Sequence, residues 1–199
     1  MAKTGTLHDA FVEELRDAYD AERQLTNALP KMANAASSQK LRAAFEAHLE
    51  ETREHVRRLE TIFESLDEQV RGKHCEGVAG IIEEGKSAME EDFNDATMDA
   101  CLIAGGQRAE HYEMAAYGTL IAWARVMGLN EAADILERTL DEEKAADAKL
   151  SSLAKSEINE QAAGGEQFER FPNEAPRPSQ GEPSRQRQSF DSRSGDSRR

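Results

Sequence analysis

The chain has 199 residues, of which 38% are hydrophobic and 32% charged, and its formal net charge is -14. This length suits one domain of ordinary size with a tail, and the negative charge argues against a protein that binds the phosphates of nucleic acids. No apolar run reaches the roughly 20 residues that a membrane span needs, and residues 1–11 lack the apolar block of a signal peptide, so the sequence predicts a cytoplasmic protein without a membrane partner.

The first two predicted elements are long helices. In helix A, apolar residues recur at intervals of three and four over 7–32, which is the pattern of one buried helical face. A short connection over 36–38 offers serine as a helix cap, and helix B follows with an apolar stripe over 41–63. Because the connection is so short, we expect helices A and B to lie antiparallel.

The next elements repeat this arrangement after a long connection. Four glycines interrupt residues 67–95, which leaves room for one short helix over about 78–89. Helix C then covers 95–126, a turn occupies 127–130, and helix D carries a stripe over 132–153. No segment alternates with period two over a useful length. Two antiparallel hairpins joined by one long crossover therefore predict an all-α fold, a ferritin-like four-helix bundle.

The composition changes near residue 162. The segment 162–199 holds four of the five prolines and is rich in Ser, Gln and Arg, with three phenylalanines as its only large apolar residues. Such a segment buries too little apolar surface to offset the entropy cost of ordering it. We therefore expect a helical bundle over 1–161 and a disordered tail rich in Pro, Ser and Arg over 162–199.

Carboxylates occupy positions on the helical stripes where apolar residues are expected. Glu110 lies near the middle of the stripe of helix C, and Glu143 near the middle of that of helix D. On helix A, Glu14 and Glu22 lie on opposite shoulders, and counting from the A–B loop puts Glu22 at the depth of Glu51 on helix B, so we choose Glu22. An unpartnered buried charge costs about several kcal/mol, so four carboxylates at similar depths predict a shared divalent metal.

Helix B supplies the candidate nitrogen ligands. His48, Glu51 and His55 are spaced three and four apart, so they share one side of the helix. Matching Glu51 on helix B to Glu143 on helix D places Asp147 opposite His55, and which of His48 and His55 binds metal stays open. The candidate ligands are Glu22, His48, Glu51, His55, Glu110, Glu143 and Asp147. Oxygen ligands with one or two imidazoles suit two iron ions, with manganese nearly as suitable and zinc less so.

Each candidate ligand also has an ordinary structural explanation. A glutamate at the edge of an apolar stripe is usually solvated, and Glu51 with His55 could form a pair on one helix face. The Glu-x-x-His spacing is missing on both hairpin partners, because Glu54 follows Glu51 and Ala146 follows Glu143 at that distance. The alternative function is therefore a metal-free structural or dimerising bundle without catalysis.

The segments 14–22 (ELRDAYDAE), 48–52 (HLEET), 107–113 (QRAEHYE) with 115–119 (AAYGT), and 140–147 (LDEEKAAD) stand out together. They resemble the bacterial YciE/YciF stress-protein family, a branch of the ferritin-like superfamily, over about residues 5–155. The resemblance implies a homodimeric bundle with a dinuclear metal site and a link to stress, and it supplies no known reaction. Two Fe(II) ions bridged by carboxylates react with oxygen or peroxide, so we expect a protective reaction of the peroxidase or ferroxidase kind.

Overall fold

A computed structural model describes residues 5–164, and this part of the chain is helical almost throughout. Its elements are α1 (Leu7–Ala35), α2 (Gln39–Ser65), α3 (Glu76–Met89), α4 (Asp95–Val126), α5 (Asn130–Leu153), a π-helical segment (Ala154–Ile158) and α6 (Asn159–Gly164). The four long helices are the predicted helices A to D and α3 is the short helix of the crossover, so the predicted fold class is confirmed. Helix α6 extends three residues past 161, and the rest of the predicted tail lies outside the described residues.

The four long helices form two hairpins that close into a bundle. Helix α1 packs along α2 and α4 along α5, while contacts of α2 with α5 and of α1 with α4 join the hairpins. Going round the bundle, the order is therefore α1, α2, α5, α4. Helix α3 lies outside this square, packed on α1 and α4. Among the described helices, none combines the length and the apolar character needed to cross a lipid bilayer.

Side-chain caps set the ends of the first hairpin. The hydroxyl of Thr6 and the carboxylate of Asp9 cap the start of α1 reciprocally. At the turn into α2, the backbone N–H groups of Ser37 and Ser38 each donate to the buried carboxylate of Asp99, both at 2.8 Å. Because Asp99 belongs to α4, this contact fixes the end of the first hairpin against the second.

The apolar core of the bundle consists of two clusters with a polar layer between them. One cluster lies at the end where α1 turns into α2 and includes Leu29 and Phe45. The other lies towards the opposite end and includes Phe11, Phe63 and Leu136. The side chains buried between them are mainly polar or charged: Glu22, His48, Thr52, His55, Glu110, Glu113, Thr139 and Glu143. All four long helices contribute to this polar layer.

The crossover is attached to the bundle where α3 begins. The Sγ atom of Cys75 caps α3 by accepting from the N–H of Val78, and it lies 3.2 Å from the Tyr112 hydroxyl, which donates to Asp17 at 3.1 Å. Helix α3 approaches α4 so closely here that a Cβ atom on Gly77 would lie 2.4 Å from the Tyr112 ring. Only glycine fits this position without displacing the tyrosine.

We expect Gly77→Ala to lower the melting temperature of the protein. The added methyl group must displace a ring held by Cys75 and Asp17, and overpacking of this kind costs about 1–3 kcal/mol. Gly80→Ala on the same helix is the matched control, because no atom lies within 4 Å of its added Cβ. In that variant the better helix propensity of alanine should leave the melting temperature unchanged or raise it. Equal melting temperatures for the two variants would contradict the close approach, and thermal unfolding followed by circular dichroism makes the comparison.

Candidate metal centre

Six ionisable side chains of the polar layer converge in the middle of the bundle, and each is at most 6% exposed. The carboxylate–histidine cluster consists of Glu22 from α1, His48 and His55 from α2, Glu110 and Glu113 from α4, and Glu143 from α5. Their positions follow from helical periodicity, since each lies on the inward face of its helix between residues of the two apolar clusters. The rings of His48 and His55 lie 6.3 Å apart between their centroids.

The cluster divides into two groups that share one carboxylate. Within each group the possible ligand atoms all lie within 4.8 Å of one another. The first group is His48, Glu110, Glu113 and Glu143, and the second is Glu22, His55 and Glu143. Because a carboxylate has two oxygens, Glu143 could contact one cation in each group at the same time. The geometry is therefore that of two adjacent cation sites with a common bridge.

Several atoms of the cluster lack the hydrogen-bond partners that buried polar atoms normally have. Both oxygens of Glu113 and of Glu143, one oxygen each of Glu22 and Glu110, and Nδ1 of His55 are without such a partner. The His55 Nδ1 atom lies 2.9 Å from Oε1 of Glu143, yet neither of these atoms makes a well-formed hydrogen bond. Metal ligands need free lone pairs that point into a shared space. The oxygen and nitrogen atoms without hydrogen-bond partners meet this requirement, so these residues fit a cation.

The charges within the cluster act strongly on one another. Burial, together with the neighbouring carboxylate of Glu143, raises the pKa of Glu110 and that of Glu113 well above the usual range. Burial alone would lower the pKa of His55, but the carboxylates of Glu143 and Glu22 overcome it and raise that pKa to about 11. Burial likewise opposes ionisation of Glu143, yet the two histidines lower its pKa. Without a cation, four ionised carboxylates would carry more negative charge than two imidazoles can balance, so the pKa values of Glu110 and Glu113 rise and favour their protonated forms.

Hydrogen bonds from residues outside the cluster hold His55 and Glu22 in place. The Nε2 atom of His55 lies 2.8 Å from the carboxylate of Glu142, which also pairs with Arg58 at 2.6 and 2.9 Å. This leaves Nδ1 of His55 directed at the cluster, and such outer carboxylates are typical of metal-binding histidines. On the opposite side, the buried hydroxyl of Tyr117 donates a hydrogen bond to Glu22.

The structure brings together five of the seven candidate ligands from the sequence: Glu22, His48, His55, Glu110 and Glu143. It leaves two outside both groups. The side chain of Glu51 is 46% exposed, with one oxygen 3.2 Å from Nδ1 of His48 on the solvent side of that ring. Asp147 accepts a hydrogen bond from Gln107 at 2.8 Å and lies 3.4 Å from a ring nitrogen of the exposed His111. Metal ligation by either residue stays a prediction.

Sequence reasoning missed Glu113, although a signal for it was present. Glu113 follows Glu110 by three residues, a spacing that places both carboxylates on one face of α4. On α2, the buried position next to Glu51 is taken by Thr52, whose hydroxyl donates to the carbonyl of His48 at 2.9 Å. Helix α4 thus supplies two carboxylates to the cluster, and α2 supplies two histidines seven residues apart.

A four-helix bundle with one long crossover has the ferritin-like fold, and this one buries carboxylates and histidines in its middle. The chain belongs to the family described as "Domain of unknown function (DUF892)", whose model matches residues 6–163.

Relatives of this chain are similar to it over most of their length. Protein YciF of Escherichia coli (strain K12) is 44% identical over 158 residues, which cover 79% of this chain and 95% of that protein. The crystal structure of the E. coli stress protein YciF matches with a TM-score of 0.75 and 43% identity over 78% of this chain and 99% of its own. YcfI from Rhodopseudomonas palustris, described as a candidate structural protein, matches with a TM-score of 0.73 and 39% identity over 76% of this chain and 96% of its own. The predicted family resemblance is confirmed.

Proposed function

We propose that this protein is a stress-related ferritin-like protein whose carboxylate–histidine cluster binds two iron ions, with manganese as the second candidate metal. The observation that carries the proposal is Glu143, a buried carboxylate without hydrogen-bond partners that belongs to both groups of ligand atoms. Four buried carboxylates would balance the charge of two divalent cations, which removes the cost of burying them unpaired. Oxygen-rich ligand sets with imidazole suit iron and manganese.

Each of the two groups of ligand atoms would hold one metal ion. Glu143 would bridge the metals, His48 with Glu110 and Glu113 would hold one, and Glu22 with His55 would hold the other. Two bound ferrous ions would supply the two electrons that, with two protons, reduce one hydrogen peroxide to two waters. The apolar clusters keep water from entering at the two ends of the bundle, while Glu142 and Tyr117 keep His55 and Glu22 in orientation.

The cellular role rests on the relatives. The E. coli relative is described as a stress protein, which supports a protective role for this chain in stress. The homodimer and the cytoplasmic location expected from the sequence are part of the same proposal. Sedimentation equilibrium of the full chain should give twice the monomer mass, and a monomer across the accessible concentration range would remove the dimer from the proposal.

Anaerobic titration of the metal-free protein with Fe(II) tests the function. We expect about two ions bound per chain, because two groups of ligands share Glu143. A ligand that binds only the native state at 100 times its dissociation constant stabilises it by about 2.7 kcal/mol, so the melting temperature should rise by several degrees and fall again with EDTA. Mn(II), Zn(II) and Mg(II) titrated in parallel compare the metals. Fewer than about one Fe(II) per chain would contradict the proposal.

The second candidate function is a metal-free structural or dimerising bundle. It is favoured by the description of the R. palustris relative and by the missing Glu-x-x-His spacing on α2 and α5. For such a bundle, neither Fe(II) nor EDTA should move the melting temperature. The same titration therefore separates the two functions.

A further inference from the structure

A narrow apolar cavity of about 40 Å³ leads from the side of the bundle to the carboxylate–histidine cluster. It lies between α1, α3 and α4, and its walls include Leu29, Met32, Ile82, Met89 and Gly105. Its inner end is formed by His48, Glu110 and Glu113, three members of the first group of ligand atoms. The cavity therefore ends at the first group of ligand atoms and not at Glu22 and His55 of the second group.

Size and lining restrict what the cavity can hold. A single water needs about 10–15 Å³ and a cavity that holds benzene has about 150 Å³, so 40 Å³ admits a molecule of a few heavy atoms. The walls are mainly hydrocarbon apart from Lys31 and Lys86, so a water or peroxide placed along most of their length would lose hydrogen bonds that the walls do not replace. A small, uncharged molecule without hydrogen-bonding needs is the occupant that fits.

Two adjacent glycines of α4 show where the empty space lies. A Cβ atom on Gly106 would contact Leu150 at 3.0 Å, so the chain is tightly packed there. Gly105 is also buried, yet a Cβ atom on it would meet no atom within 4 Å. Because Gly105 lines the cavity, a side chain at this position would grow into it.

Polar molecules have a different approach to the same residues. An open groove of about 430 Å³ between α2 and α5 also reaches His48 and Glu110, and Lys40, Glu51 and Lys149 lie along it. Water, protons and charged species can enter through this groove with their hydration largely kept. The structure thus has a wide, open approach with charged residues on the α2–α5 side and a small apolar approach on the α1–α3–α4 side.

We propose that the apolar cavity is a binding site for dioxygen, which it holds against His48, Glu110 and Glu113. The use of the bound dioxygen rests on the proposed function, because only a metal-loaded cluster would react with it. The existence of the binding site does not rest on the proposed function, because the cavity is formed by residues of the metal-free protein. The binding site for dioxygen and the proposed metal-binding function can therefore be disproved independently of each other.

Xenon is the probe for the site, since it occupies apolar cavities and needs no metal. Xenon NMR of the metal-free protein, or crystals of it under xenon pressure, should show one bound atom in this cavity. Gly105→Val should abolish that binding and the smaller Gly105→Ala should weaken it, so one of the two variants is informative even if the larger residue disturbs folding. Gly118→Val is the matched control, because Gly118 lies on the same helix with open space around its added Cβ and outside the cavity. Wild-type protein without bound xenon, or Gly105→Val that still binds it, would overturn the proposal.

Oxidation kinetics assign the occupant. In protein loaded with Fe(II), Gly105→Val should slow oxidation by dioxygen several-fold and leave both the iron content and oxidation by hydrogen peroxide unchanged. Equal slowing with both oxidants would overturn the assignment to dioxygen, because peroxide should reach the cluster through the open α2–α5 groove and not through this cavity. If the chain binds no iron, the proposed function fails, and the xenon experiment still decides whether the cavity is a site.

Discussion

Glu143→Gln is expected to remove the binding of both iron ions, whereas Glu22→Gln should remove only one. Glu143 is the only member of the cluster that belongs to both groups of ligand atoms, while Glu22 belongs to one. Loss of an outer hydrogen bond to a ligand typically costs 10–100-fold in metal affinity, so losing the shared ligand itself should cost more than about 100-fold at each site. Anaerobic Fe(II) titration should then give no tight sites in Glu143→Gln and one in Glu22→Gln.

Asp141→Asn provides the control for this comparison. Asp141 is two residues from Glu143 on α5 and its side chain is 76% exposed, where it pairs with Lys144 at 3.2 Å. Removal of that charge changes the net charge of the protein as much as Glu143→Gln does, and it should leave the iron content unchanged. Two tight sites in Glu143→Gln would mean that Glu143 does not bridge the metals.

Glu113→Gln should stabilise the metal-free protein and weaken metal binding. Neither oxygen of Glu113 has a hydrogen-bond partner, and burial together with the carboxylate of Glu143 raises its pKa well above the usual range. The glutamine amide has nearly the same shape and volume as the carboxylate that it replaces, but it carries no charge. Each kcal/mol gained should raise the melting temperature of a domain of this size by about 2–4 °C. Loading with Fe(II) should then stabilise the variant less than it stabilises the wild type.

The effect of Glu113→Gln on stability has a definite dependence on pH. A carboxyl group whose pKa is raised on folding binds more protons in the native state, so stability falls as pH rises from the ordinary value of 4.5 towards the raised one. One such group removes about 1.4 kcal/mol per pH unit within that window. The difference in melting temperature between variant and wild type should therefore widen with pH, from pH 5 upwards.

The sign of this trend decides whether folding raises the pKa of Glu113. His55, with its pKa raised to about 11, contributes stability that would be lost only at strongly alkaline pH, so it does not mask the trend near neutrality. Glu46→Gln is the control, because Glu46 is exposed on α2 and carries the same charge. A gap that stays constant with pH, or that matches the one for Glu46→Gln, would contradict the raised pKa. Thermal unfolding in EDTA, in buffers from pH 5 upwards, measures the difference in melting temperature between each variant and the wild type.

The helices and much of the cluster were predictable because periodicity reports which face of a helix is buried. Glu110 and Glu143 lie near the centres of their stripes, so their inward direction followed from the sequence. Glu22 lies on a shoulder and needed a second criterion, its depth along the bundle. For residues at a stripe edge, one position of difference decides whether a side chain faces the interior or the solvent, and Thr52 is buried where its neighbour Glu51 is exposed.

Other features of the site depend on contacts between helices, which a single sequence does not contain. Asp147 was placed by matching α5 to α2, but Gln107 on α4 holds its carboxylate outside both groups. Glu113 was overlooked because one carboxylate was expected from each helix, whereas α4 supplies two. The apolar cavity depends on how α3 packs across α1 and α4, and the glycine-rich crossover gives no periodicity from which that packing could be inferred.

The division of the apolar core into two clusters has a consequence for how the molecule melts. With the middle layer free of cations, the buried carboxylates make this layer the least stable part of the interior that joins the two ends. Two cations bound at the middle would tie all four long helices together at one level. Metal loading would then sharpen the calorimetric transition as well as move it to a higher temperature, and the heat-capacity trace itself would report how well iron joins the two halves.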